Sequence, residues 1–179
     1  MSKFNRALLA LTVTGLAAAA APAFAQTSAN TSVTGTMTVY QPITISKASD
    51  LSFGTVMRPA SGNGTIYINK TTGARTADGA ASLVANGPNA APSRAAFTVS
   101  GETGLNISIT VPQSFDMLRS GGGGTVQVML DSTASGGQLT GNTNGSGTFG
   151  FGVGGQVLLS NGTPTGAYSG TFTVSVAYN

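Results

Sequence analysis

Large apolar side chains recur at every second position along much of the chain. Val33, Met37, Val39, Ile43 and Ile45 are all odd-numbered, with Thr34, Thr36, Thr38 and Thr44 between them. Successive side chains of a strand point to opposite faces, so this spacing predicts a strand with one buried face. Pro42 cannot donate to a ladder and marks a bend or an edge within that run. Leu51 and Phe53 open a short strand that ends near Val56, and Ile66 and Ile68 form another. Phe97 and Val99 lead into Gly101-Glu102-Thr103-Gly104, a hairpin turn by composition, from which Leu105, Ile107, Ile109 and Val111 return. Val126, Val128 and Leu130 follow, then Phe149, Phe151 and Val153, then Val157 and Leu159. The last run is the cleanest: Tyr168, Phe172, Val174, Val176 and Tyr178 are even, while Ser169, Thr171, Thr173 and Ser175 are odd.

Turn signals lie between the runs. Asn63-Gly64, Asn86-Gly87, Asn144-Gly145 and Asn161-Gly162 are Asn-Gly pairs, and Asp78-Gly79 is of the same kind. Both residues of such pairs tolerate positive φ, which tight hairpins require. Ala80 to Ala96, rich in Ala and Pro, reads as a longer crossover. No segment after residue 25 repeats apolar positions at helical spacing. About seven to nine short strands with such turns predict an all-β antiparallel sandwich, without internal repeat or second domain.

The first 25 of the 179 residues stand apart. Lys3 and Arg6 precede the apolar stretch Ala7 to Ala21, and Ala23 and Ala25 flank Phe24 as a small-x-small site. This is the pattern of a secretory signal cut before Gln26, too short to span a membrane stably. No Cys follows it, so the pattern is not that of a lipoprotein, and no later stretch suits a transmembrane anchor. The expected organisation is a signal over 1–25, a leader over 26–35 and one domain over 36–179. The expected destination is the periplasm, the cell surface or an extracellular fibre.

Composition changes the picture in two ways. Gly, Ser, Thr and Asn make up about half of residues 26–179. That content alone would suit disorder, but the near-zero charge and the alternating apolar residues argue for a folded chain. Six basic and five acidic side chains remain after residue 25, a net charge of +1, which disfavours nucleic-acid binding. The absence of His and Cys excludes most catalytic triads, thiol chemistry, zinc sites and disulfides.

Asp50, Asp78, Glu102, Asp116 and Asp131 are scattered at strand ends and turns, where carboxylates commonly bond backbone. No acidic run suggests a calcium loop. Gly121 to Gly124 reads as a strand connection rather than a phosphate cradle, because a strand and not a helix follows. The chain is not expected to be an enzyme, and no catalytic residue, metal or cofactor is implied.

The strand that runs to the last residue is more informative, because it becomes an exposed sheet edge unless something pairs with it. The segment from Gly166 through Tyr168, Phe172, Val174 and Val176 to Tyr178 resembles the terminal strand of chaperone–usher pilins. Those carry a glycine fourteen residues from the end, alternating apolar residues and a penultimate tyrosine. Ile43-Thr44-Ile45 followed by Asp50-Leu51-Ser52-Phe53-Gly54-Thr55-Val56 resembles the start of spore coat protein U-like domains. With Ala96 to Gly101 and Gly152 to Gly155, residues from about Gly35 to Asn179 resemble the domain of unknown function 4402, a secreted bacterial family.

The resemblance implies an immunoglobulin-like, pilin-like sandwich. It also implies a fimbrial or surface-fibre subunit capped by a periplasmic chaperone, passed to an usher and assembled by self-association. Val33, Gly35, Met37 and Val39 would then be the donor strand. Gly166, Tyr168, Phe172, Val174, Val176 and Tyr178 would line the receiving groove. Many pilins carry a cysteine near the position of Ile43; this chain has none. The alternative is a monomeric secreted or surface sandwich that binds a ligand such as a glycan and does not polymerise.

Overall fold

The computed structural model describes residues 28–85, 87, 91–141 and 145–179. The signal segment, Asn86 and Asn144 lie outside the described residues. Among those described, fourteen strands follow one another: β1 (Thr44–Ser49), β2 (Val56–Met57), β3 (Asn63–Ile68), β4 (Arg75–Gly79), β5 (Ser82–Leu83), β6 (Ala95–Glu102), β7 (Asn106–Thr110), β8 (Ser114–Arg119), β9 (Thr125–Ser132), β10 (Gly136–Gln138), β11 (Thr140–Gly141), β12 (Ser146–Ser160), β13 (Tyr168–Ser169) and β14 (Ser175–Tyr178). The described residues contain no helix, and every pairing between strands is antiparallel.

The spine is the fifteen-residue β12. Its first half pairs with β6, and its second half pairs with β3 on one side and β9 on the other. The largest sheet runs β1-β6-β12-β9-β8-β13, with β3 and β4 attached through β12. A second sheet has the order β10-β7-β14. The change of partner along β12 falls at its glycines. A Cβ on Gly154 would overlap the Ile68 carbonyl and the Lys70 backbone, so only glycine lets β3 join there.

Two apolar clusters fill the interior. Val99, Phe151 and Val153 of the large sheet pack with Ile107 and Ile109 of β7, which makes this part a sandwich. Ile66, Ile68, Val126, Val128, Val157 and Leu159 pack under Phe53. Leu51 and Leu130 touch both clusters. Phe97 stacks on Phe151 with ring centroids 5.1 Å apart.

The all-β sandwich expected from the sequence is what the chain forms, with local differences. The run from Val33 to Ile45 is not one strand: pairing begins only at Thr44, two residues after Pro42. Residues Thr38–Asn179 form a compact unit. Asn63-Gly64 is not a turn but the start of β3; the positive φ falls on Gly62 instead. Gly101 to Gly104 does not close a hairpin. β6 pairs with β1 and β12 whereas β7 pairs with β10 and β14, because Val99 and Ile107 meet across the core rather than side by side. The two runs around Phe151 and Val157 are one strand. The terminal run is two strands, β13 on β8 and β14 on β7, so the chain changes sheet between Ser169 and Ser175.

Phe53 is 9% exposed and central to its cluster. Phe53→Ala should destabilise the domain by about 3–5 kcal/mol, through lost transfer energy and a cavity. A urea unfolding curve with an unchanged midpoint would contradict this.

Candidate functional site

Two unpaired strand edges among the described residues border the core. β1 pairs with β6 on one side only. The terminal stretch pairs with β8 and then β7, again on one side only. Between residues 47–58 and residues 164–172 runs an apolar groove. Its widest part, about 330 Å³, has Phe97, Phe115 and Met117 in its floor and Phe172 in its wall. It continues into a depression of about 310 Å³ over Phe53, Val126, Val157 and Leu159, and ends in one of about 140 Å³ beside Val56. Tyr168 borders all three.

Arginines hold both walls. The Arg75 guanidinium donates to the carbonyls of Phe53 at 2.7 Å, Thr55 at 2.8 Å and Val84 at 2.8 Å. Arg119 donates to the carbonyls of Thr165 at 2.7 Å and Gly122 at 3.0 Å, fixing the opposite wall. Gly166, at φ +149°, leaves room beside the Arg119 side chain that a Cβ would invade. Arg58 crosses from wall to wall, donating to the Thr163 carbonyl at 3.0 Å. At the far pole the Tyr178 hydroxyl also crosses, donating to the Gln41 carbonyl at 2.9 Å.

The structure divides the terminal-strand residues named from the sequence. Gly166, Tyr168 and Phe172 line the groove. Phe172 rests on Phe115 at 5.1 Å between centroids, and the Tyr168 hydroxyl donates to the Pro164 carbonyl at 2.7 Å. Val174, Val176 and Tyr178 point inward as expected, but they pack with the cluster around Ile107 and Ile109 instead of lining the depression. Of the leader residues, Val33 is 88%, Met37 86% and Val39 76% exposed, and a side chain at Gly35 would meet open space. None of these four belongs to a strand. Sequence reasoning missed Leu51, Met117 and the three arginines. The signal available for the arginines was their scarcity: each sits beside a turn or a strand end in a chain with few charges.

The carboxylates do not converge. Asp50 pairs with Lys47, and Asp131 with Lys70 at 2.9 Å. Asp78 accepts from the Gly79 N–H, and Glu102 from the Gln41 N–H. No group of three or more potential metal-ligating residues occurs among the described residues. No helix among them is long and apolar enough to cross a membrane.

The domain is an antiparallel sandwich with an apolar groove between residues 47–58 and 164–172. The family model described as Domain of unknown function (DUF4402) matches residues 43–178, and the chain belongs to that family. No curated protein and no solved structure matches the chain.

Arg75 donates to three backbone carbonyls at one wall, so Arg75→Ala should lower stability by about 2–3 kcal/mol and speed amide exchange from Thr55 to Val84. Arg75→Lys should recover little, since one ammonium cannot reproduce the planar fork. Exchange rates equal to those of the parent would refute the role.

Proposed function

We propose that this protein is a structural subunit of a bacterial fimbria or surface fibre, exported behind its signal and assembled by β-strand complementation. The observation that carries the reading is the apolar groove between two unpaired strand edges. An inserted strand would bond to both edges through its backbone and place alternate side chains on Phe53, Phe97 and Phe115. The segment from Val33 to Val39 has the composition for it: exposed, outside any strand, apolar at Val33, Met37 and Val39, and small at Gly35. Donation from one subunit to the next is a heterologous contact that does not close on itself, so it produces a filament. Before assembly a periplasmic chaperone strand would cover the same groove, and an usher would exchange it for a neighbour's leader.

A monomeric surface module is the rival reading. Its best place is the outer sheet face, where a depression of about 570 Å³ joins Tyr67, Gln156 and Met129. Tyr67 and Gln156 offer the ring and amide that sugars bind, while Lys70 is already engaged by Asp131.

Removing residues 26–39 should abolish high-mass, denaturant-resistant assemblies while export and the fold persist. Met37→Asp should weaken assembly in the same direction, by burying a charge in an apolar groove. Electron microscopy and denaturing gels of unheated material read both. A mature chain that stays monomeric without a chaperone, and melts at the same temperature after truncation, would favour the surface module instead.

A further inference from the structure

The depression on the outer sheet face is one half of a longer recess. Ile66, Ile68, Val128 and Val157 are buried against the core with Phe53. Tyr67, Met129 and Gln156 are one residue out of step with them and so point the other way. Strand pairing sets Thr76, Tyr67, Gln156 and Met129 side by side in a row across β4, β3, β12 and β9. Two residues along, Thr65 and Leu158 are in register. A second depression of about 480 Å³, lined by Thr65, Leu158 and Gln127, shares Tyr67, Met129 and Gln156 with the one of about 570 Å³. Each lies within the range of about 300–1,000 Å³ usual for small-ligand clefts. Lys70 closes one end: its backbone occupies the space a Cβ on Gly154 would need, and its ammonium meets Asp131 at 2.9 Å.

The chemistry of the recess narrows what it can take. β3, β12 and β9 each pair on both sides, so a ligand is held by side chains and not by strand addition. Those side chains are uncommitted. The Tyr67 and Thr65 hydroxyls and the Gln127 amide have no hydrogen-bond partner among the described residues. The Tyr168 and Tyr178 hydroxyls, by contrast, are spent on the carbonyls of Pro164 and Gln41. Gln156 donates to the Met129 sulfur at 3.5 Å, a weak acceptor that a ligand hydroxyl would displace. Lys70 and Asp131 neutralise each other. Asp78 and Asp116, in register with Thr65 and Gln127, flank the recess without lining it and would repel an anion. A sugar is neutral and presents an apolar C–H face rimmed by hydroxyls. That is the complement of the Tyr67 ring and Leu158 set among amides and hydroxyls.

We propose that the outer face of β3, β12 and β9 binds a neutral oligosaccharide laid across the strands, with Tyr67 as its platform and Gln156 and Gln127 fixing its hydroxyls. The site lies on the opposite side of the sheet from the Phe53 cluster, so it does not rest on strand complementation. In a fibre every subunit would present one copy, and the copies would act together on a polysaccharide surface.

Calorimetric titration of the chain after residue 25 with maltohexaose, cellohexaose, xylohexaose, mannohexaose and hexagalacturonate tests this. At least one of the four neutral hexasaccharides should bind, and the acidic one should not. Tyr67→Ala should weaken that binding about tenfold, through the lost stacking face. Gln127→Ala should weaken it about fivefold, the equivalent of one hydrogen bond. Should Tyr67→Ala lower the melting temperature, Gln127→Ala carries the test, because its side chain is exposed and outside the core.

No binding of any neutral hexasaccharide, equal affinity for hexagalacturonate, or an affinity unchanged in both variants would overturn the proposal. So would a dimer, seen by sedimentation, that Leu158→Asp dissociates and that binds no sugar, since the face would then belong to a second copy. A chain that binds sugar but never polymerises would uphold the site and overturn the fibre reading, so the two fail separately.

Discussion

A strand edge backed by apolar side chains cannot be left to water without consequence. Its N–H and carbonyl groups invite another strand, and the side chains behind it gain by being covered. Here that condition occurs twice along one seam, at β1 and at the terminal stretch. The rest of the domain makes the seam a shaped site: Arg75 holds one wall, Arg119 the other, and Arg58 and Tyr178 bridge the two ends. Those bonds add to the backbone pairings of β2 with β5 and of β13 with β8 along the two walls.

The terminal stretch owes its position to a change of allegiance. Tyr168 and Ser169 extend the large sheet and Ser175 to Tyr178 extend the small one, so the segment between them spans the opening of the sandwich. β12 does the reverse in the interior, serving β6 with one half and β3 and β9 with the other. Its glycines permit that change because only a residue without a side chain admits the Lys70 backbone at Gly154. One strand joins the two halves of the large sheet at the centre, and the terminal stretch passes from that sheet to the small one at the rim.

Much of the fold was legible because burial follows parity. Ile66, Ile68, Val126, Val128, Val157 and Leu159 are buried as their alternation implies, and the even positions of the last run are all turned inward. What parity cannot show is which strands are neighbours. The glycine-rich link from Gly101 to Gly104 suits a hairpin as well as it suits a passage from one sheet to the other, and only packing of Val99 against Ile107 decides. The groove was half legible for the same reason. Tyr168 and Phe172 could be named from the terminal pattern, but Leu51, Met117 and Phe115 meet them through long-range pairing. Arginine contacts with carbonyls leave no periodic trace at all.

The arginine contacts have an environmental consequence. Arg58, Arg75, Arg94 and Arg119 donate to backbone carbonyls, Arg94 to that of Lys70 at 3.0 Å. None of these contacts is an ion pair, because a peptide carbonyl carries no net charge. Nor is a bond between a cation and a neutral dipole screened by salt as an exposed ion pair is. A protein fastened this way, with no disulfide to be reduced, keeps these contacts as ionic strength and redox state change.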